Sequence, residues 1–294
     1  MKQLLQYPGS KGRMAKQIIE LFPAHHTYCE VFGGSGSVLL TKEPSDVEVY
    51  NDINDDIVNL FRVVRDARQM QQLEEMLDLT PYSRTELDTA RGRLPKHKYD
   101  DPVEHARLTF VAYNECFSGL TERDNSWSHG KEVNQSIGFR AAISALRNIS
   151  ARLANVQIDC DHFATIIPRY DSAETVFYLD PPYALDTRAA DLYKHEMWAH
   201  EHKELVKLIL EAKGFIVLSG YDTPLYSPLE DAGFQRIEIS VAMTMAIPAI
   251  GKSLERKEVL WISPPSERRR RKPTSDAKKS DQLDLFGEIK EATK

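Results

Sequence analysis

Residues 176–183 read VFYLDPPY, and the rest of the chain is arranged around them. An apolar run, Val176 to Leu179, leads into Asp180, two prolines and Tyr183. A short apolar run closed by a turn signal reads as a buried parallel strand. Pro181 and Pro182 cannot donate to a strand ladder and fit no helix interior, so the backbone leaves the sheet there. In open α/β sheets, ligands sit outside the carboxyl ends of the strands. One turn therefore offers the Asp180 carboxylate, the Pro181 carbonyl and the Tyr183 ring face. Carboxylate and carbonyl accept two N–H bonds and the ring stacks, a set that suits a planar substrate carrying an amino group.

Upstream, residues 27–40 read TYCEVFGGSGSVLL: a short β-rich run, a glycine cluster, then a helical apolar pattern. This is the first strand–turn–helix of a nucleotide-binding sheet, with glycines that let the backbone come close to a ligand. The dinucleotide fingerprint fails, because after Gly34 and Gly36 its third glycine would fall at Leu39. That disfavours an NAD enzyme. The next strand, Val47 to Asp52, ends in an acid about twenty residues after the glycines. Asp52 has two readings: it binds ribose hydroxyls, or it caps the helix that contains IVNLF. The glycine loop and Asp52 together imply an adenosine-type cofactor with no pyrophosphate requirement, and S-adenosylmethionine fits.

Residues 7–12, YPGSKG, form a turn-rich stretch before an amphipathic segment at 13–22. Loop then helix can cradle an anion or close over a ligand, or be only a turn, and the P-loop spacing is missing. Val156–Cys160 reads as a strand with Asp161–Phe163 as its loop. Asp161 and Phe163 then stand beside the glycine loop, with room for an adenine ring. Residues 140–155, RAAISALRNISARLAN, read as one helix, and Arg65–Leu79 as another. His195 and His200 are five apart where a zincin helix needs four, so these histidines and His202 read as helix-surface residues and no metal is expected. Gln235–Val241 and Lys257–Ser263 read as a final hairpin.

The chain has 294 residues, 41% hydrophobic and 28% charged, with a net charge of −6 and three scattered cysteines. This is the composition of a globular α/β protein plus a smaller domain, in a reducing cytoplasm, with no membrane span or signal segment. From Ser266 onward nine basic residues face six acidic ones, so the first 265 carry −9. A nucleic-acid reader with this balance needs its positive charge placed locally.

Between Arg62 and Phe139 the α/β rhythm stops, broken by Pro81, Pro95 and Pro102, and we read an inserted, mainly helical domain at 62–139. Residues 110–127, FVAYNECFSGLTERDNSW, interleave aromatics with Asn114, Arg123 and Asn125. Such residues stack on bases and read their edges, or form a small subdomain core with a polar hairpin. Residues 184–192 make a polar loop of lid length. After 265 apolar residues almost vanish, and the tail 266–294 reads as disordered. Within it Gln282, Leu283, Leu285 and Phe286 belong to QLDLF, an apolar cluster that such a tail seldom carries without a partner.

The order YPGSK, EVFGGSGS, insert, YLDPPY resembles the Dam-like N6-adenine DNA methyltransferases, in which the cofactor motif precedes the recognition domain and the catalytic motif follows it. The resemblance covers nearly all of residues 1–263. It implies an α/β, Rossmann-like, S-adenosylmethionine-dependent catalytic domain at 1–61 and 140–265. Carried over by position, Tyr7 and Lys11 contact the cofactor's methionine part, and Phe32, Gly33 and Gly36 form the glycine loop. Asp52 is the ribose acid, Asp161 and Phe163 form the adenine pocket, and Asp180 completes the cofactor set. Asp180, Pro181, Pro182 and Tyr183 carry catalysis. Asn114, Arg123 and Asn125 are the DNA contacts. Ser10 departs from the usual second glycine, and Ser118 with an extra residue before Arg123 departs from the recognition segment. QLDLF is similar to the pentapeptide by which bacterial replication and repair proteins bind the sliding clamp, implying a location at the bacterial nucleoid or in a phage-infected cell. Rival readings are an amino-methyltransferase of RNA or protein, and a clamp-recruited DNA binder without catalysis.

Overall fold

A computed structural model describes residues 4–94, 101–116, 127–130, 132–183, 196–241 and 256–264. Arg123, Asn125, the loop 184–192, His195, the connection 243–252 and the tail with Gln282, Leu283, Leu285 and Phe286 lie outside the described residues.

Among the described residues seven strands form one sheet: β1 Thr27–Glu30, β2 Val47–Asn51, β3 Val156–Asp159, β4 Thr175–Leu179, β5 Phe215–Gly220, β6 Gln235–Val241 and β7 Arg256–Ile262. Their order is β3-β2-β1-β4-β5-β7-β6. The first five are parallel, and β7 runs antiparallel to both β5 and β6. The expected closing hairpin is present.

Alternation along the strands explains the layers, since successive side chains point to opposite faces. Tyr28, Tyr50, Val176, Tyr178, Val217 and Leu260 face one cluster, and Cys29, Val49, Phe177, Leu179, Ile216, Leu218 and Trp261 face the other. On the first face pack α1 (Ala15–Ile19), α2 (Ser37–Thr41), α3 (Asp55–Arg65) and α8 (Leu146–Leu153); on the second pack α9 (Phe163–Tyr170), α10 (Ala199–Glu211) and α11 (Ser227–Asp231). β4 is buried along its whole length, as a strand covered on both faces must be.

The segment expected as an insert is helical: α4 Ala67–Asp78, α5 Arg84–Arg93, α6 Pro102–Glu115 and α7 Gln135–Ile143. Leu73 and Leu77 of α4, Phe110 of α6 and Phe139 of α7 belong to the same hydrophobic cluster as α3 and the sheet. These helices share the core that covers the first face of the sheet. The single helix expected at 140–155 is two, α7 and α8, whereas the one expected at 65–79 is present as α4, set off from α3 at Asp66. There Asp66 turns extended and caps α4 by accepting from the Arg68 and Gln69 amides.

Two readings are corrected here. Asn114 does not face solvent: it is 5% exposed, and its amide donates to the Leu4 and Phe110 carbonyls, so it ties α6 to the N-terminal segment. His202 is a core residue, not a surface one, with Nδ1 2.8 Å from the Tyr226 hydroxyl.

At the end of α6, Glu115 is fully buried and accepts from the Trp127 indole and the Ser83 amide. Burial pushes its carboxyl up to about 8, against those two hydrogen bonds. A folded-state value above the unfolded one means stability is fully present below the unfolded value and is lost as pH rises through about 8. Glu115→Gln mimics the protonated acid and removes this loss. The melting temperature of the variant relative to wild type should climb steadily from pH 5 to pH 9; a flat difference would show that Glu115 ionises as freely folded as unfolded.

Candidate active site

The chain runs outward from β1 to β2 and β3, then crosses back to β4 on the other side of β1. Loops leaving β1 and β4 diverge at that switch point and open a crevice. A cleft lies there, lined by Tyr7, Lys11, Glu30, Phe32, Gly33, Gly34, Asp52, Ile53, Asn54, Asp180 and Pro182, among others. Tyr7, Lys11, Phe32, Gly33, Asp52, Asp180 and Pro182 are thus brought together as expected. Gly36 stands between the lining residues Ser35 and Ser37, as the left-handed N-cap of α2.

The glycine loop is compact for an internal reason. A Cβ on Gly33 would stand 2.2 Å from the Tyr50 ring, and one on Gly34 2.8 Å from the Tyr7 ring. These glycines make room for the protein's own tyrosines. Tyr50 donates to the Gly34 carbonyl, and Asp52 accepts from the Gly34 amide at 2.7 Å and the Asn54 amide at 2.8 Å. Asn54, not Asp52, caps α3, its side chain accepting from the Asp56 amide. Asp52 thus holds the loop. The Ser10 hydroxyl lies 3.0 Å from that of Ser35 and 2.8 Å from that of Ser37, joining the N-terminal loop to the glycine loop.

Asp161 and Phe163 are not among the cleft lining. Asp161 pairs with Arg169 at 2.9 Å, and its amide donates to Asn51, which clips the ends of β1, β2 and β3 together. Phe163 opens α9, 4% exposed, with its ring 5.8 Å from that of Phe32. Of the two phenylalanines, Phe32 lines the cleft and Phe163 supports it.

Asp180 follows β4 directly, 18% exposed, and Lys11, 5% exposed, donates to both of its oxygens at 2.8 Å. Lys11 also donates to the Gly9 carbonyl and lies 5.0 Å over the Tyr183 ring. Burial pushes the Asp180 carboxyl up to about 6; Lys11 pulls it down and Glu258 pushes it up. It is ionised at neutral pH. Its neighbour Glu30 is pushed by burial up to about 8, against hydrogen bonds from the Tyr28 hydroxyl and the Leu39 amide, and stays protonated.

Tyr183 is buried, its ring edge against Tyr221 at 4.3 Å and its hydroxyl donating to Glu258 on β7. Sequence reasoning missed Glu30, Ile53, Asn54, Tyr221 and Glu258. Glu30 and Ile53 stand beside motif residues and were open to notice, whereas Glu258 is a lone acid in a strand pattern and gave no signal. Among the described residues no group of three His, Cys, Asp or Glu is placed to hold a metal ion, and no helix is long and apolar enough to cross a membrane.

The chain is 29% identical over 204 residues to the type II methyltransferase M.MjaIII of Methanocaldococcus jannaschii, covering 62% of this chain and 69% of that protein. It is 26% identical over 263 residues to the type II methyltransferase M1.LlaDCHI of Lactococcus lactis subsp. cremoris, covering 81% and 88%. Against the modification methylase StsI of Streptococcus sanguinis it is 25% identical over 198 residues, covering 64% of this chain but 29% of that protein. The model of the D12 class N6 adenine-specific DNA methyltransferase matches residues 7–245, from the tyrosine of the N-terminal loop to beyond β6 and through every element that builds the cleft. The chain belongs to the D12 class of N6 adenine-specific DNA methyltransferases.

Proposed function

We propose that the cleft takes S-adenosylmethionine and that the turn at Asp180 takes an adenine rotated out of a DNA duplex. The observation that carries this reading is the seat of Lys11: an N–H donor on both Asp180 oxygens and over the Tyr183 ring. Those are the two contacts an adenine amino group and its ring require.

The residues present fit the cofactor. Asp52 and Asp180 give the cleft acidic groups for a sulfonium and for ribose hydroxyls, and Phe32 with the 44%-exposed Ile53 offers an apolar seat for an adenine ring. Bound there, S-adenosylmethionine supplies an electrophilic methyl group. The chain supplies position and charge. Extruding the adenine costs a few kcal/mol, and stacking on Tyr183 offsets part of it. The amine displaces Lys11 from Asp180, whose carboxylate accepts one N6 hydrogen while the Pro181 carbonyl accepts the other. Both acceptors draw the nitrogen from planar toward tetrahedral, so its lone pair is free to take the methyl group, with the electron pair of the S–C bond left on the sulfonium sulfur. Asp180 is placed to receive the N6 proton released. No covalent enzyme intermediate is needed, and the rate comes from positioning and electrostatics. Arg123 and Asn125 are the side chains to read neighbouring bases.

Incubation with methyl-tritiated S-adenosylmethionine and plasmid DNA, followed by digestion to nucleosides, should place the label in N6-methyladenine. Label in cytosine, or acceptance only by RNA or protein, would refute the reading.

The sequence QLDLF supports a second element: an extended peptide that seats Leu283, Leu285 and Phe286 in the apolar groove of a bacterial sliding clamp, with Gln282 at its edge. Tethering raises the enzyme's effective concentration at newly copied DNA. Deleting residues 281–294 should abolish binding to immobilised clamp and leave methylation of short oligonucleotides within about twofold. Unchanged clamp affinity would rule the tail out.

A further inference from the structure

Because β7 runs antiparallel to β5, its first residues return to the carboxyl edge where the parallel strands end. Val259 pairs with Gly220, so Glu258 lies level with Tyr221, just past β5. The Tyr183 hydroxyl donates to Glu258 Oε2, and the Tyr183 ring packs edge-on against Tyr221. The same hydroxyl also makes a hydrogen bond to the Asp180 carboxyl, so Glu258 and Asp180 hold it from two sides, with Lys11 on both Asp180 oxygens.

We propose that Glu258 is a positioning residue: it anchors the Tyr183 hydroxyl and so fixes the ring against Tyr221, keeping the stacking face in place for the target base. This rests on the adenine reading of the site. Without Glu258 the ring loses the anchor that sets its angle over the turn.

The test uses the full chain as wild type, E258A, E258Q, Y183F and E258A/Y183F, each checked by thermal melting. Methyl transfer to plasmid DNA in a single turnover is one readout. The other is the NMR resonance of Tyr183 in protein labelled at the tyrosine ζ carbon, identified by its loss in Y183F and read without DNA or cofactor. E258A should slow single-turnover transfer by about tenfold or more, with KM for DNA and for S-adenosylmethionine within about threefold. E258Q keeps an acceptor and should stay within about threefold of wild type. In the Y183F background E258A should add less than about twofold. The Tyr183 resonance should shift in E258A and stay near its wild-type position in E258Q. An unmoved resonance in E258A, a wild-type rate in E258A, or an undiminished loss in the Y183F background would each overturn the proposal. Should E258A fail to fold, E258Q against Y183F decides: a loss in E258Q as large as removing the hydroxyl would overturn it. A wild-type protein that methylates no DNA brings down the adenine reading and the base-positioning role with it, while the resonance still reports whether Glu258 holds Tyr183.

Discussion

Asp180→Asn lowers the methylation rate by at least about a hundredfold, on the scale of losing one aimed electrostatic group in an active site. The substituted side chain keeps the size of the original and one oxygen for Lys11, so the fold is retained. What it loses is the second carboxylate oxygen and the negative charge that draws the amine hydrogen. Duplex binding, carried by other residues, should change by no more than about threefold. Wild-type kcat/KM should fall as pH drops through about 6, since burial raises Asp180 to that value and the protonated acid no longer accepts freely. An acid limb near pH 4, or loss of duplex binding with loss of activity, would remove Asp180 from the acceptor role. Gel-shift titration and single-turnover kinetics on one preparation separate the two effects.

Gly33→Ala should cost about 3 kcal/mol, the upper end of overpacking penalties, and lower the melting temperature by roughly 5–10 °C. The added methyl would stand 2.2 Å from the Tyr50 ring. That ring cannot yield, because it stacks on Phe61 at 4.1 Å and its hydroxyl donates to the Gly34 carbonyl. The strain must pass into the loop that presents Asp52, so cofactor affinity falls with stability. Gly92→Ala is the control: it sits in α5 with nothing within 4 Å of the added methyl, and should stabilise by roughly 0.5–1 kcal/mol. Thermal melts of both variants check the pair; equal effects would mean that the crowding at Gly33 is relieved by a small shift.

The catalytic turn was legible because prolines end a strand wherever they fall, and the order of strands then put Asp180 opposite the glycine loop. β6 and β7 were legible from β-rich runs alone. Asp52 was half legible: its place was right, but the cap belonged to Asn54, a distinction that two residues of backbone geometry decide. Asn114 misled because polar residues beside aromatics look alike whether they face a base or a buried carbonyl; only the packing of α6 against Leu4 settles it. Glu258 was invisible, since the sheet pairing that carries it to Tyr183 spans 75 residues. The glycine loop was legible, but the tyrosines packed against it were not, because the sequence does not say which side chain a missing Cβ admits.

Single-molecule sequencing of plasmid DNA, incubated with S-adenosylmethionine and either wild type or D180N, tests the central claim most directly. The account predicts N6-methyladenine at one short motif with wild type and none above background with D180N at equal protein. Equal methylation by the two proteins, or none by a folded wild type, would contradict it.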